Sequence, residues 1–193
     1  MKKGIILLPI IAFGLASCGS KPSTESQKTS IEPQYELIET YDFTVLTGSG
    51  SEITDPHALL SRLGTSVYWE SATKVFDGNG TGGVREANPT GLLKFGTTKQ
   101  SGVLTFSLDE NVTRMVLGCH SFYGVSEEYP TNRTDFVKVN DMAPVVAPYN
   151  STGASENLEF NLSPATNSIT ITSCNENGTL AGRFILFSIS LYR

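Results

Sequence analysis

Near its C-terminus the chain reads Ile185-Leu186-Phe187-Ser188-Ile189-Ser190-Leu191. Apolar side chains recur there at every second position, and successive side chains of a β-strand point to opposite faces. The stretch therefore predicts a strand that buries one face, carrying Ile185, Phe187, Ile189 and Leu191. The same period occurs upstream, at Phe43 and Val45, at Leu104, Phe106 and Leu108, at Leu158, Phe160 and Leu162, and at Ile169 and Ile171.

Turn-forming residues separate these segments. Clusters of Gly, Asn, Asp and Pro favour tight turns, and they occur at Asp77 to Gly80, Asp109 to Asn111, Ser163 to Asn167 and Asn175 to Gly178. Short alternating strands with turns between them are typical of an antiparallel sandwich. We therefore expect an all-β, jelly-roll-like β-sandwich.

One short helix is expected near residues 55–63. Asp55 suits the N-cap, Pro56 the first helical position and Gly64 the residue that ends the helix.

The N-terminus predicts export. Lys2 and Lys3 precede an apolar stretch, Ile5 to Phe13, which is too short to span a bilayer but suits a signal peptide. It ends in Leu15-Ala16-Ser17-Cys18, which resembles the bacterial lipobox. The resemblance implies cleavage before Cys18 and acylation of that cysteine, which would hold the protein at the outer face of the cell membrane.

The expected organisation follows from this leader. Residues 1–17 are a lipoprotein signal peptide, residues 18–34 a lipidated flexible tether, and residues 35–193 a single β-sandwich domain. The tether is predicted from its Ser, Thr, Lys, Gln and Pro content, which cannot bury enough apolar surface to fold.

Charge argues against nucleic acid as a partner. The 193-residue chain has a formal net charge of −5, which loss of Lys2 and Lys3 makes −7, and it has no basic cluster. Binding to a phosphate backbone depends on such clusters.

Several segments resemble a β-sandwich module of Gram-positive and mollicute secreted proteins. They are Lys74 to Gly80, Gly91 to Lys99, Gly102 to Phe106, Ala165 to Ile171 and Arg183 to Ile189. Members of that group occur as lipoproteins and as C-terminal domains of extracellular nucleases. The resemblance, over about Tyr41 to Tyr192, implies an accessory domain rather than a catalytic one.

Cys119 and Cys174 are the cysteines that remain after Cys18. Outside the cytoplasm they could form a disulfide, which in the chain-entropy model would stabilise the fold by about 4 kcal/mol. The alternative is two buried, unpaired thiols, and the sequence leaves both open.

A calcium site is one interpretation of the glycine-rich segment after Asp77. Asp77, Asn79 and Thr81 place oxygen atoms at alternate positions, and hard oxygen ligands suit calcium. A bidentate carboxylate is missing, so a plain turn is the alternative. No other cofactor is expected.

No combination of catalytic residue types in the sequence defines a candidate active site. Cys119 and His120 are neighbours in a predicted strand and would point to opposite faces, and His57 suits a solvated helix start. Two pairs of acidic residues, Glu127 with Glu128 and Glu156 with Glu159, could be imagined as an acid and a base for glycoside cleavage. We read them as surface acids and expect no enzyme, with an extracellular hydrolase as the less favoured alternative.

Aromatic residues outside the expected core are the candidate ligand contacts. Tyrosine rings with nearby amides suit a sugar-stacking surface, and the candidates are Tyr68, Tyr123, Tyr129, Tyr149 and Asn132. Trp69 fits the core better because it alternates with Val67. The sequence therefore favours a membrane-anchored, exported binding module whose partner is a glycan. An adhesin or assembly subunit that binds an envelope protein is the alternative.

Overall fold

The computed structural model describes residues 34–46, 50–57, 68–78, 92–122, 135–149, 154–179 and 181–193. Contacts divide the chain into residues 1–33 and residues 34–193. The predicted signal peptide, Cys18 and nearly all of the tether lie outside the described residues. Within the described ranges, no helix has the length and apolar character needed to cross a bilayer.

The fold is all-β, as predicted. The described residues form strands that share one antiparallel network: β1 (Leu37–Asp42), β2 (Ser51–Glu52), β3 (Tyr68–Thr73), β4 (Val75–Asp77), β5 (Leu93–Phe95), β6 (Val103–Ser121), β7 (Phe136–Val139), β8 (Val145–Val146), β9 (Glu156–Cys174) and β10 (Phe184–Tyr192). The strand order is β2-β4-β5-β10-β6-β9-β7-β8, with β1 also paired to β10 and β3 to β6.

Two long strands make this network a sandwich. β6 and β9 each span 19 residues and pair with one another in two stretches separated by register shifts between Ser107 and Arg114. The first half of β6 pairs with β3 and the second half with β10. The two halves therefore belong to two layers, and β6 and β9 run through both.

The predicted turns at Asp109 to Asn111 and Ser163 to Asn167 lie at this shift. They are not turns between separate strands, because β6 and β9 continue through them. Turn-forming residues on two facing strands interrupt the pairing without ending it, as a β-bulge does. Pro164, which has no N–H to donate, lies in this unpaired stretch of β9.

The core lies between the layers. Trp69 of β3 is fully buried, as expected, and packs edge-on against Tyr41 and Phe43 from the other layer, at centroid distances of 6.0 and 6.1 Å. Its ring also lies 5.1 Å from that of Phe106. These aromatic contacts join the layers into one hydrophobic cluster.

The expectation that β10 buries one continuous face is wrong. A register shift between Leu186 and Ser188 divides the strand. Ile189 and Leu191 belong to the main core, whereas Ile185 and Phe187 join a second cluster with Leu92 and Phe122. A bulge adds a residue to one strand, so the side chains before it change face.

Phe43 and Val45 do not form a strand either. They belong to a 3-10 turn, Phe43–Val45, in which Phe43 is buried and Val45 is 66% exposed. Asp42 caps this turn, because its Oδ1 accepts hydrogen bonds from the N–H and the hydroxyl of Thr44 at 2.9 and 2.6 Å.

The start of the predicted helix has an N-cap contact. The N–H of His57 donates to Asp55 Oδ1 at 3.0 Å, and residues 58–63 lie outside the described residues. The predicted turn at Asn175 to Gly178 is present, with Gly178 at φ 70° and its N–H donating to the Asn175 carbonyl at 2.9 Å.

Candidate binding surface

One side of the layer formed by β1, β10, β6 and β9 faces away from the core. On β6, Met115 and Leu117 belong to the core, so Arg114, Val116 and Gly118 point outward. The pairing register aligns the outward positions of the neighbouring strands with them. We call these residues the polar sheet face: Thr40, Asp42, Arg114, Val116, Gly118, Asn157, Glu159, Asn161, Ser188, Ser190 and Tyr192.

The face is arranged in rows across the strands. One row runs Asp42, Ser188, Gly118, Asn157, and the next runs Thr40, Ser190, Val116, Glu159. The side chains on the flanking strands β1 and β9 are exposed, and those of the serines are half-buried. The face therefore presents hydroxyl, amide and carboxylate groups to solvent.

Gly118 keeps the middle of the face free of side-chain bulk. A Cβ at this position would collide with Ser188 Oγ and lie 2.9 Å from Ser155 Oγ. Glycine therefore allows the hydroxyl of Ser188 on β10 and that of Ser155, which directly precedes β9, to lie close to the β6 backbone. A shallow polar floor results.

An aromatic cluster marks one end of the face. The Arg114 guanidinium lies 4.8 Å from the ring centroid of Tyr35 and 5.2 Å from that of Tyr192. Arg114 also pairs with Glu159 at 2.7 Å, and this hydrogen bond raises the pKa of the guanidinium. The cation–π contacts and the ion pair together fix the two tyrosine rings beside the polar floor.

Tyr149 marks the opposite end. His120 lies on the same side of β6 as Gly118, and its ring centroid is 5.4 Å from that of Tyr149, which is 42% exposed. His120 Nδ1 donates to the carbonyl of Ser121 at 2.6 Å. Arg114 and His120 are separated by about 20 Å along the strand, at roughly 3.3 Å per residue.

The comparisons with known proteins are distant. The sequence matches no protein-family model and no curated protein. Three solved structures illustrate the likeness in fold. An exo-β-1,3-galactanase of Phanerochaete chrysosporium is 18% identical at a TM-score of 0.37, over 80% of this chain and 29% of its own.

The second is a 4-O-methyl-α-glucuronidase with specificity for decorated arabinogalactans, 12% identical at a TM-score of 0.39, over 83% of this chain and 18% of its own. The third is a carbohydrate-binding module that recognises mannan, 11% identical at a TM-score of 0.36, over 83% of this chain and 99% of its own. This chain thus spans less than a third of either enzyme. Likenesses as distant as these assign no activity.

The predicted ligand-contacting residues are only partly brought together. Tyr149 lies at the end of the polar sheet face. Tyr68 is 55% exposed, but it lies on β3, which belongs to the layer that does not carry the polar sheet face. There it pairs with Ser107 of β6, and its ring lies 5.1 Å from that of His57. Tyr123, Tyr129 and Asn132 lie outside the described residues.

Of the predicted calcium ligands, only Asp77 lies within the described residues. Asp77 ends β4, and Asn79 and Thr81 lie outside the described residues. Elsewhere among the described residues, no group of three or more His, Cys, Asp or Glu side chains is placed to hold a metal ion.

Both cysteines are free and buried, so the bridged alternative does not describe this structure. The reason lies in the register: Cys119 is opposite Glu156 at the start of β9, whereas Cys174 ends that strand, opposite Phe136. Burial raises the pKa of Cys119 to about 12, with a further contribution from the charge of Glu156, and burial also raises the pKa of Cys174.

The acidic pair Glu156 and Glu159 cannot act jointly. Glu156 is opposite Cys119, which belongs to the core, and Glu159 is opposite Val116 on the polar sheet face. Their spacing of three positions places them on opposite sides of β9. Glu127 and Glu128 lie outside the described residues.

Proposed function

We propose that this protein is an exported, lipid-anchored binding protein whose polar sheet face holds a glycan without cleaving it. One observation carries the glycan proposal. A floor of hydroxyl, amide and carboxylate groups lies between tyrosines at two ends of the same sheet face.

These groups suit both the apolar face and the hydroxyl groups of a sugar ring. A pyranose has an apolar face that packs on an aromatic ring, and its hydroxyls need donors and acceptors around the rim. Tyr192 and Tyr149 supply rings, and Ser188, Ser190 and Asn157 supply hydrogen-bonding groups. A surface about 20 Å long, from the strand rise, has room for several linked rings.

The carboxylates of the face support binding rather than catalysis. Glu159 is engaged by Arg114 at 2.7 Å, and Asp42 accepts hydrogen bonds from Thr44. Glycoside cleavage uses a proton-donating acid opposite a second carboxyl group. Both carboxylates of the face are thus already engaged by other groups of the protein.

The anchor is proposed from the leader. A diacylated cysteine at position 18 would tether the domain without a membrane-spanning helix, because two acyl chains give stable membrane binding where one gives only marginal binding. The glycan would then belong to the cell envelope or to a surface outside it.

The first experiment screens the protein on a glycan array and measures the affinity of the best ligand by calorimetry. Tyr192→Ala removes a stacking ring and should weaken binding about tenfold, or about 1.4 kcal/mol. Asn157→Ala should weaken it by a smaller factor. Tyr68→Ala is the matched control, an exposed tyrosine on the other layer, and should bind as the parent does.

Two results would contradict the proposal. The first is an array without any bound glycan, and the second is an affinity that responds to Tyr68→Ala but not to Tyr192→Ala. Circular dichroism of each variant establishes that the sheet is retained.

The alternative of a protein-binding adhesin or assembly subunit has one supporting observation. β8 has two valines that are exposed, Val145 and Val146. β8 is also the last strand in the sheet order, and exposed edge strands pair readily with other chains. Two results together would favour this alternative: the parent protein binds no glycan on the array, and a Val146→Lys variant no longer captures the envelope protein that the parent captures.

A further inference from the structure

Phe187 lies where β10 changes its pairing partner. On one edge of β10, β5 pairs as far as Leu186 and β1 pairs from Ser188, so Phe187 is opposite a residue of neither strand. On the other edge, Leu186 is opposite Cys119 of β6 and Ser188 is opposite Gly118. Two consecutive residues of β6 thus face three of β10, and Phe187 is the extra residue of a β-bulge.

The bulge keeps the Phe187 side chain on the side of the layer that carries the polar sheet face. Leu186 belongs to the main core, whereas Phe187 packs against Ile185 in the second cluster. Ile185 is opposite His120, which is on the outward side of β6. Phe187 and Ser188, although neighbours in the chain, therefore both lie on the outward side.

The ring of Phe187 is held by apolar neighbours and is partly exposed. Leu92, Phe122 and Ile185, against which it packs, are buried, and Phe187 itself is only half-buried. Such packing orders the ring before any ligand binds, and a contact group ordered in advance loses little conformational entropy on binding. The exposed part of the ring is thus a fixed apolar surface.

Hydrogen-bonding groups begin directly beside this ring. Ser188 follows it in the chain, and the row from Ser188 through Gly118 to Asn157 crosses the face. Gly118 has no side chain and Cys119 belongs to the main core, so β6 places no side chain over the floor next to Phe187. An apolar ring beside hydroxyl and amide groups is what a sugar ring needs.

Phe187 lies between the tyrosines that mark the ends of the face. Along β10 it is about 16 Å from Tyr192 and about 7 Å from the row of Ile185 and His120, at roughly 3.3 Å per strand residue. His120 is the residue whose ring contacts Tyr149. The face therefore has rings at both ends and a third ring between them.

We propose that Phe187 is a third stacking ring of the glycan site, and that the ligand is a linear chain bound through three or more linked sugars rather than through a single terminal sugar. This inference rests on the proposed function and defines the class of glycan. Rings distributed along one face each hold a different sugar of the same chain, and contacts linked in this way strengthen one another because the later ones form within a bound molecule.

The experiment measures affinity against chain length. The full-length protein is titrated by calorimetry with cello-oligosaccharides, manno-oligosaccharides and linear galacto-oligosaccharides, each from the monosaccharide to the hexasaccharide. We expect the hexasaccharide of the class that binds to exceed its monosaccharide in affinity by at least about a hundredfold, from two further rings at about tenfold each.

Substitutions of Phe187 assign part of this gain to its ring. Phe187→Leu keeps an apolar side chain in the second cluster, so the midpoint of unfolding in urea should stay close to that of the parent. Binding of the hexasaccharide should weaken about tenfold. The loss should be smaller for the monosaccharide, whereas a merely structural role would weaken binding equally at every length. Phe187→Tyr retains a ring and should bind the hexasaccharide within about twofold of the parent.

Phe136→Leu is the matched control. Phe136 is also half-buried, and it lies next to the core residue Val137 on β7, a strand of the other layer. The same change there should leave the affinity for every oligosaccharide as it is in the parent.

The outcomes separate the two proposals. Equal affinity for monosaccharide and hexasaccharide, or a hexasaccharide affinity that Phe187→Leu leaves unchanged, overturns the inference and leaves glycan binding intact. Binding on the array that is confined to branched or terminal sugars does the same. Failure to bind every oligosaccharide and every glycan of the array overturns the proposed function, and the inference with it. The dependence on chain length is measured on the parent, so it does not require any variant to fold.

Discussion

Single residues of this domain have roles that their neighbours in the sequence do not reveal. Gly118 reads as an ordinary strand residue, but its missing side chain admits Ser188 and Ser155 to the middle of the polar sheet face. The residues next to Arg114 in the sequence indicate no role for it. Its role depends on contacts with Tyr35 and Tyr192, which come close to it only in the folded protein.

Cys119 and Cys174 should be unreactive while the protein is folded. With Cys18→Ser removing the leader thiol, a thiol-reactive dye at pH 8 should label neither Cys119 nor Cys174 in the folded protein. Thiolates are the reactive form, and at a pKa of about 12 the Cys119 thiolate fraction at pH 8 is about 1 in 10,000. Labelling should increase with pH.

Unfolding in denaturant without reductant should then expose both thiols. Cys174→Ser serves as the reference for one exposed thiol. A chain that shows no thiol even when unfolded would contain the disulfide and contradict the structure.

The positions of the long strands can be predicted from the sequence, but the bulges within them cannot. Alternation correctly located the apolar segments that became β6, β9 and β10, because burying one face of a strand requires a period of two. The pattern does not show where a β-bulge shifts the register. The shift at Leu186 to Ser188 moved Ile185 and Phe187 to a second cluster, and the facing shifts in β6 and β9 turned two predicted turns into bends.

The candidate surface was less predictable than the strands. The sequence predicts Tyr149 as a ring outside the core, and this ring is 42% exposed. The row of small polar residues, in contrast, arises from the register of β1, β10, β6 and β9. Register depends on contacts between strands that are far apart in sequence. No local pattern around Ser188 or Asn157 could therefore have revealed that they lie in one row.

Asp135 connects the ends of three strands. Its side chain is buried and accepts hydrogen bonds from the Ser121 hydroxyl at 2.8 Å, the Phe122 N–H at 3.1 Å and the Arg183 N–H at 3.0 Å. Asp135 thus joins the end of β6 and the start of β10 to the start of β7. Asp135→Ala should lower the free energy of unfolding by about 3 kcal/mol, because it leaves buried donors without an acceptor.

Chemical denaturation measures this loss. Asp135→Asn, which keeps one acceptor oxygen, should lose less, and Asp141→Ala in the exposed turn after β7 should change stability by less than about 0.5 kcal/mol. A loss for Asp135→Ala that is no larger than for Asp141→Ala would show that this carboxylate does not hold the strands together.

At the scale of the whole molecule, the two layers depend on one another. Trp69 from one layer fills the space beside Tyr41 and Phe43 from the other, and β6 and β9 belong to both. We expect the domain to unfold in a single step, because the main hydrophobic core is built from side chains of both layers.

Membrane attachment should depend on Cys18. Expressed in a bacterium that processes lipoproteins, the parent protein should partition into the detergent-rich phase, and Cys18→Ser should move to the aqueous phase because its acyl chains are lost. Ser23→Ala, a change in the tether that keeps Cys18, should partition as the parent does. Detergent partition of Cys18→Ser equal to that of the parent would refute the lipid anchor.

The meeting of the domain's two ends has a practical consequence. Glu36 and Arg193 exchange backbone hydrogen bonds at 3.0 Å in both directions, and their side chains form an ion pair at 2.9 Å. Polypeptide joined to either end therefore emerges from the same corner as Tyr35 and Tyr192. A purification tag or fusion partner placed after Arg193 would crowd the ligand-stacking corner and mask binding, whereas an insertion in the Asn175 to Gly178 turn would leave that corner clear.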